Sequence, residues 1–318
     1  MRIAVTGATG FIGRHLVSAL LQREKPEQIC CLVRSSEQAA RLQALGIRTQ
    51  LGDLQDAHSL KTLCSGADLI FHLAACVRYG VAVHRTTDFH AINVQGTSNL
   101  LQACAPTTQR FIHMSSINAV ERRLGDPCRS PLTEESPCHP QTPYGRSKLA
   151  SEEAACRLAA EKGIPYLILR PPSIVYGRGC SADSGMATLI RMAASGSVIA
   201  RIPFPGRFSI LHVQDLAEGT VNLAFSDQHK NETFFLADEP PRTCAEICSE
   251  ISAQMKRGPR PLQLPRFLFS AANTFIRWAA PIPGAARVIP FQLLMLSLEI
   301  KVALRCLLMN FSKITKLF

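Results

Sequence analysis

The chain has 318 residues, 47% of them hydrophobic, with 12 cysteines and a formal net charge of +11, and it is long enough for one large α/β domain or a domain plus a lobe. The cysteines are scattered without paired C-x-x-C spacing, so buried free thiols in a reducing compartment are expected rather than a disulfide framework or a metal site. Most of the positive charge lies late in the chain, where ten Lys and Arg from Lys256 onward face a single acid, Glu299.

The first apolar run, 3–5, leads into Thr6-Gly7-Ala8-Thr9-Gly10-Phe11-Ile12-Gly13 and then into 15–21, whose apolar spacing suits a helix. No signal peptide is expected ahead of a strand that begins at the first residues. Strand, glycine turn and helix in that order are the context a dinucleotide site requires. Gly7 permits a tight turn, Gly10 lets backbone approach a pyrophosphate, and Gly13 lets helix and strand pack closely. The helix N-terminus would then present free N–H groups and a positive dipole end to the phosphates.

A second strand over 28–33 ends at Arg34-Ser35, where the ribose of the adenosine half is expected. An acid there would bond the 2′-hydroxyl of NAD. Arg34 instead offers a guanidinium suited to a 2′-phosphate, so NADP is favoured over NAD. A third strand, 49–51, delivers Gly52-Asp53, with Asp53 placed to accept from the adenine amino group. A fourth, 69–75, ends in Ala74-Ala75, small enough for a flat cofactor to lie close. A helix over 93–101 leads to a fifth strand, 110–114, with Ser115-Ser116 at its C-terminal end. In open parallel sheets, ligands bind beyond those strand ends.

A Pro-rich loop over 126–143 precedes Tyr144-Gly145-Arg146-Ser147-Lys148. The helix expected over 149–161 carries Glu152, Glu153 and Arg157 on its outer side. Strand six, 166–170, is closed by Pro171-Pro172. Short apolar runs alternating with helical patterns predict an α/β fold, a Rossmann-type doubly wound parallel sheet. The divisions expected are a core over 1–170, core completion with a substrate lobe over 171–261, and an apolar, basic, helical segment over 262–318.

Tyr144 and Lys148 are four apart and share one helical face. A tyrosine hydroxyl has a pKa of about 10, and a nearby ammonium favours its phenolate. Tyr144 could then exchange a proton with a substrate alcohol or carbonyl while Ser116 bonds the same oxygen. Hydride would pass between the substrate carbon and a nicotinamide.

Taken together, Thr6-Gly7-x-x-Gly10-x-x-Gly13, Gly52-Asp53, His72-Leu73-Ala74-Ala75, Asn93-Val94-x-Gly96-Thr97, Ser115-Ser116, Tyr144-x-x-x-Lys148, Arg170-Pro171, Tyr176-Gly177 and His212-Val213-x-Asp215-Leu216-Ala217 resemble the extended short-chain dehydrogenase/reductases, the NAD-dependent epimerase/dehydratase group. The likeness covers about residues 1–240. It implies Ser116 as the catalytic serine and Tyr144 as the acid/base. Lys148 would lower the tyrosine pKa and hold the nicotinamide ribose. It also implies cofactor contacts from Gly7, Thr9, Gly10, Phe11, Ile12, Gly13, Arg34, Asp53, Leu54, Ala74, Tyr144, Lys148 and Pro171, and no metal. Asn93, His212 and Asp215 are expected to be structural.

Departures from the family pattern bear on the substrate. The 4,6-dehydratases carry Asp-Glu directly after their hydroxyl residue, whereas Ser116 is followed by Ile117-Asn118. Sugar-nucleotide members often carry Asn after strand six, where this chain has Pro171-Pro172-Ser173. Arg34 after Leu32-Val33 is similar to the dihydroflavonol-reductase-like and 3β-hydroxysteroid-dehydrogenase-like branches, which act on apolar ketones and alcohols. An oxidoreductase of an apolar, sterol-, flavonoid- or lipid-like substrate is expected. A nucleotide-sugar 4-epimerase and a non-catalytic nucleotide-binding scaffold or RNA-binding relative are the alternatives.

The run 288–298 is 11 residues without a charge, short of the ~20 that span a bilayer. Residues 262–318 therefore read either as a lid on the substrate lobe or as a basic, apolar surface resting on anionic lipid. The expected setting is cytoplasmic, with peripheral membrane contact through 262–318 admitted. A small-molecule substrate is expected, a homodimer is admitted, and no specific nucleic-acid partner is expected.

Overall fold

The computed structural model describes residues 1–77, 86–121, 132–202 and 206–256. The lid and lipid-surface readings of 262–318 lie outside the described residues.

The chain begins in the middle of its own sheet. β1 (Ile3–Thr6) is followed by α1 (Phe11–Leu20), β2 (Ile29–Val33), α2 (Ser36–Gln43), β3 (Arg48–Leu51), α3 (Ala57–Cys64) and β4 (Leu69–His72). α4 (Thr86–Phe89) runs through a π-helical turn, His90–Gln95, into α5 (Gly96–Ala103). Then come β5 (Arg110–Met114), α6 (Pro143–Glu161) and β6 (Tyr166–Arg170). β7 (Ile174–Tyr176), α7 (Gly185–Ala194), α8 (Val198–Arg201), β8 (Arg207–Phe208), β9 (Ile210–His212), α9 (Val213–Ala224), β10 (Glu232–Phe235), β11 (Arg242–Thr243) and α10 (Cys244–Gln254) complete the described elements.

Seven strands form one parallel sheet in the order β3-β2-β1-β4-β5-β6-β10. The sheet is Rossmann-like, and its direction of growth reverses at β1 and β4, where Val5 pairs with Phe71. That reversal opens a crevice at the carboxyl ends of the strands. Alternate residues of each strand face opposite layers. Val5, Phe71, Ile112 and Leu169 pack with Leu16, Leu20 and Val221 from α1 and α9. Ala4, Ile70, Phe111 and Ile168 pack with Leu60, Leu100 and Ala155 from α3, α5 and α6. With both faces covered, the strands read as continuous apolar runs.

A smaller core gathers Tyr176, Met186, Leu189, Ile210, Cys244, Ile247 and Cys248. There β7 pairs in parallel with β9, and β8 runs antiparallel to β11. α10 starts with a capping box: Thr243 Oγ1 accepts from Glu246 N at 3.2 Å, and Glu246 Oε2 accepts from Thr243 N at 2.7 Å. The described cysteines are free thiols, and no helix among the described residues is long and apolar enough to cross a membrane.

Several element boundaries differ from the sequence expectation, α1 beginning at Phe11 rather than 15 among them. α6 begins at Pro143 rather than 149, because Thr142 Oγ1 accepts from Gly145 N at 2.9 Å and Pro143 occupies the first turn. β4 stops at His72 rather than 75. The chain turns there, with Leu73 N on Thr6 O at 3.1 Å and Ala74 N on Thr6 Oγ1 at 3.3 Å. The helix expected at 93 starts earlier, through the π-helical turn.

Candidate active site

The glycine turn at the end of β1 is built too tightly for side chains. Gly7 has φ +76°, and a Cβ there would lie 2.6 Å from Ala74 N and 2.7 Å from the carbonyl carbon of Leu73. Gly10 N closes the turn on Gly7 O at 3.0 Å. A Cβ on Gly13 would overlap Gly7 O, so the helix sits directly against the strand end. No side chain caps α1 and no acid lies in its first turn. Its leading N–H groups are therefore free of side-chain acceptors, as anion binding requires. Thr9, Phe11 and Ile12 are half-buried around this turn, and Gly10 is exposed. The cradle suits a dinucleotide pyrophosphate.

Arg34 is exposed at the end of β2, its N–H donating to Gln38 Oε1 at 3.0 Å. Gly52 N reaches Val33 O at 2.9 Å, so Asp53 leaves β3 beside the end of β2. The exposed Asp53 uses Oδ1 to accept from Gln55 N at 2.7 Å and Asp56 N at 3.2 Å. Leu54 is buried, and a Cβ on Gly96 would lie 2.8 Å from its Cδ1. Pairing of β5 with β6 continues past both strands, through Ser115 N on Leu169 O at 2.7 Å and Ile117 N on Pro171 O at 2.9 Å. This brings Ser116 and Pro171 to one edge.

Ser116 Oγ accepts from Asn118 N at 3.2 Å and is hydrogen-bonded to the Tyr144 hydroxyl. Tyr144 is buried with Cys76, Phe89 and Ile92, its ring centroid 6.1 Å from that of Phe89. Burial pushes the phenol up to about 12, the bond from Ser116 acting in the opposite direction. Desolvation is the largest influence on this phenol, and Cys76 adds to it. Lys148, one turn along, is buried, and its Nζ donates to Met114 O at 2.7 Å. Burial pulls Lys148 down to about 8, and Glu152 acts the other way.

Glu152 is a correction. Glu153 and Arg157 are exposed as expected, but Glu152 is 4% exposed and turned inward. Its carboxylate takes Arg170 Nε at 3.0 Å and Nη2 at 2.6 Å, and it accepts from Ser115 Oγ. Its place four residues after Lys148 was the signal that it shares the catalytic face.

Asn93 Oδ1 accepts from Cys76 N at 2.7 Å, while its Nδ2 donates to Cys76 O at 3.1 Å and Ser147 Oγ at 2.9 Å. His212 Nδ1 caps α9 by accepting from Gln214 N at 3.4 Å. Asp215 lies near Asp238, whose carboxyl is held up at about 6 by burial and by that charge. Sequence reading passed over Ser173, whose hydroxyl donates to Asn118 Oδ1 at 2.8 Å beside Ser116.

The model of the NAD dependent epimerase/dehydratase family matches residues 3–236. A 4-hydroxy-2-methyl-3-oxo-4-farnesyl-3,4-dihydroquinoline-1-oxide ketoreductase of Stigmatella aurantiaca is 32% identical over 253 residues, 76% of this chain and 69% of that protein. A UDP-glucose 4-epimerase of Vibrio cholerae is 26% identical over 272 residues, 83% of this chain and 78% of that protein. Among solved structures, gox2253 superimposes with a TM-score of 0.73 at 26% identity, covering 95% of this chain and 89% of the other.

Proposed function

Because the chain belongs to the NAD dependent epimerase/dehydratase family, we propose that it moves hydride between NADP(H) and a secondary alcohol or ketone of an apolar substrate. The observation that carries this reading is the Ser116–Tyr144 hydrogen bond on the helical face that also bears Lys148. Three glycines make a dinucleotide cradle; this second constellation, far away in sequence, supplies a reason for the cofactor to be there.

When bound, the nicotinamide supplies or accepts the hydride. Gly7, Thr9, Gly10, Phe11, Ile12 and Gly13 would hold the pyrophosphate. Arg34, Asp53 and Leu54 would hold the adenosine half, the exposed Arg34 guanidinium favouring a 2′-phosphate. Ala74, Tyr144, Lys148 and Pro171 would flank the nicotinamide half.

Burial keeps the Tyr144 phenol protonated near neutrality, which suits donation of its proton to a carbonyl oxygen. The Ser116 hydroxyl then stabilises the phenolate left behind, and a cation one helical turn away, as Lys148 is, would favour the same form. Cys76, Phe89 and Ile92 give Tyr144 apolar surroundings, in keeping with an apolar substrate and with the farnesylated substrate that the ketoreductase relative is named for.

Tyr144→Phe tests the reading, with NADPH consumption followed on a farnesylated ketone. Turnover falls about 10²–10⁴-fold while NADPH binding is retained. Unchanged turnover in the variant overturns the proposal. Epimerisation of UDP-glucose by the wild-type chain with no net NADPH consumption replaces it with the epimerase reading.

A further inference from the structure

α6 meets the end of β5 on three successive turns of one face. Tyr144 is hydrogen-bonded to Ser116, Lys148 Nζ donates to Met114 O at 2.7 Å, and Glu152 accepts from Ser115 Oγ. Three consecutive strand-end residues are thus tied to helix residues spaced four apart. The third tie is reinforced by the ion pair with Arg170, whose two side chains are 7% and 5% exposed. Arg170 directly precedes Pro171 and places its guanidinium 5.8 Å from the Phe235 ring centroid.

A buried ion pair is a poor choice for stability alone, since apolar residues of similar volume do as well or better. The contact of α6 with the sheet already buries Ala155, Leu158 and Ala159 against Phe111 and Ile168. The carboxylate needs another reason to be there.

We propose that Glu152 is a positioning residue of the catalytic centre: anchored by Arg170, it fixes Ser115 so that Ser116 meets Tyr144, and it supplies the counter-charge to Lys148. This rests on the assignment of Ser116, Tyr144 and Lys148 made above. The titratable groups that feel or act on the Lys148 charge include His72 on β4, His113 on β5 and Glu152 on α6, and Tyr144 lies one turn before it on the same helix. Burial and the Lys148 charge hold both imidazoles neutral, and burial holds Tyr144 protonated. Glu152 is the group that opposes desolvation of the ammonium.

The test reads Lys148 titration through stability. Between its folded pKa of about 8 and its ordinary 10.5, Lys148 binds more protons in the unfolded chain, so its contribution to stability rises with pH across that window. The Tm difference between wild type and Lys148→Met, measured from neutrality to pH 10.5, therefore begins to grow near pH 8. In a Glu152→Gln/Arg170→Met background, which removes the Glu152–Arg170 pair as a unit and leaves the Lys148 ammonium without its counter-charge, the same difference begins about one pH unit lower. Glu152→Gln/Arg170→Gln gives the same readout should that background fail to fold. An onset at the same pH with and without the carboxylate overturns the proposal. The measurement needs no substrate, so this failure leaves the catalytic assignment standing, whereas an active Tyr144→Phe removes that assignment.

Discussion

The rings of His72 and His113 stack with centroids 5.3 Å apart and planes inclined by 27°. His72 is bonded at both nitrogens, Nδ1 to Thr6 Oγ1 at 2.7 Å and Nε2 to Thr97 Oγ1 at 2.9 Å. His113 Nε2 is bonded to Ser151 Oγ at 3.0 Å. Burial, with the Lys148 charge behind it, pulls His72 down to about 3 and His113 well below its ordinary value.

Neutral buried imidazoles make the fold acid-sensitive. Both residues bind more protons unfolded than folded below pH 6.5, so stability is lost as pH falls from 6.5 toward about 3. Each histidine contributes at most about 1.4 kcal/mol per pH unit to that slope. Urea unfolding of His113→Gln across the window should give a shallower acid limb than wild type. An identical slope would mean that the imidazole is already charged in the folded protein.

Gly7 and Gly163 both have positive φ, +76° and +68°, but only Gly7 is crowded. Gly163→Ala meets nothing within 4 Å and should lose about 1–2 kcal/mol from backbone strain alone. Gly7→Ala adds the collision with Ala74 and Leu73. NADPH titration should find affinity unchanged in the first variant and reduced about tenfold or more in the second.

Arg34 is exposed, and only its backbone N–H has a described bond. Arg34→Glu should weaken NADPH binding by about 10- to 100-fold, the worth of charge-assisted bonds to a phosphate, and leave NADH binding intact or improved. Its unfolding midpoint should move little, as for most exposed substitutions. Equal losses for the two cofactors would place the 2′-position elsewhere.

Asn93 joins the chain leaving β4 to α6 through Cys76 N, Cys76 O and Ser147 Oγ. Asn93→Ala leaves buried polar groups without those bonds and should cost about 2–4 kcal/mol in urea unfolding. Asn93→Asp keeps the acceptor for Cys76 N but loses both Nδ2 bonds, so it should not restore the wild-type midpoint.

Much of this architecture was legible as apolar runs. Strands over 110–114 and 166–170 are centred on Phe111-Ile112 and on 167–169, with Arg110 opening the first and Arg170 closing the second. The early start of α6 had a local signal, since Thr142 followed by Pro143 is a cap and a first-turn residue. The inward turn of Glu152 had only its spacing from Lys148, because its strongest partner, Arg170, lies on another element. A charged residue inside an amphipathic pattern reads as solvated until tertiary structure provides the opposite charge. The same limit applies to Tyr144: four-residue spacing shows the face it shares with Lys148, but only the packed neighbours reveal how strongly desolvation opposes its ionisation.

Every neighbouring pair in the main sheet is parallel, so every pairing is bridged by a crossover rather than a hairpin. Gly7 reaches Ala74, and Ser116 reaches Tyr144, only after such excursions have closed. Chain-closure entropy must be met before these contacts form, which marks a high-contact-order, slowly assembling fold. Severing the backbone between Gly13 and Ser116 would leave the glycine cradle on one piece and Ser116, Tyr144 and Lys148 on the other.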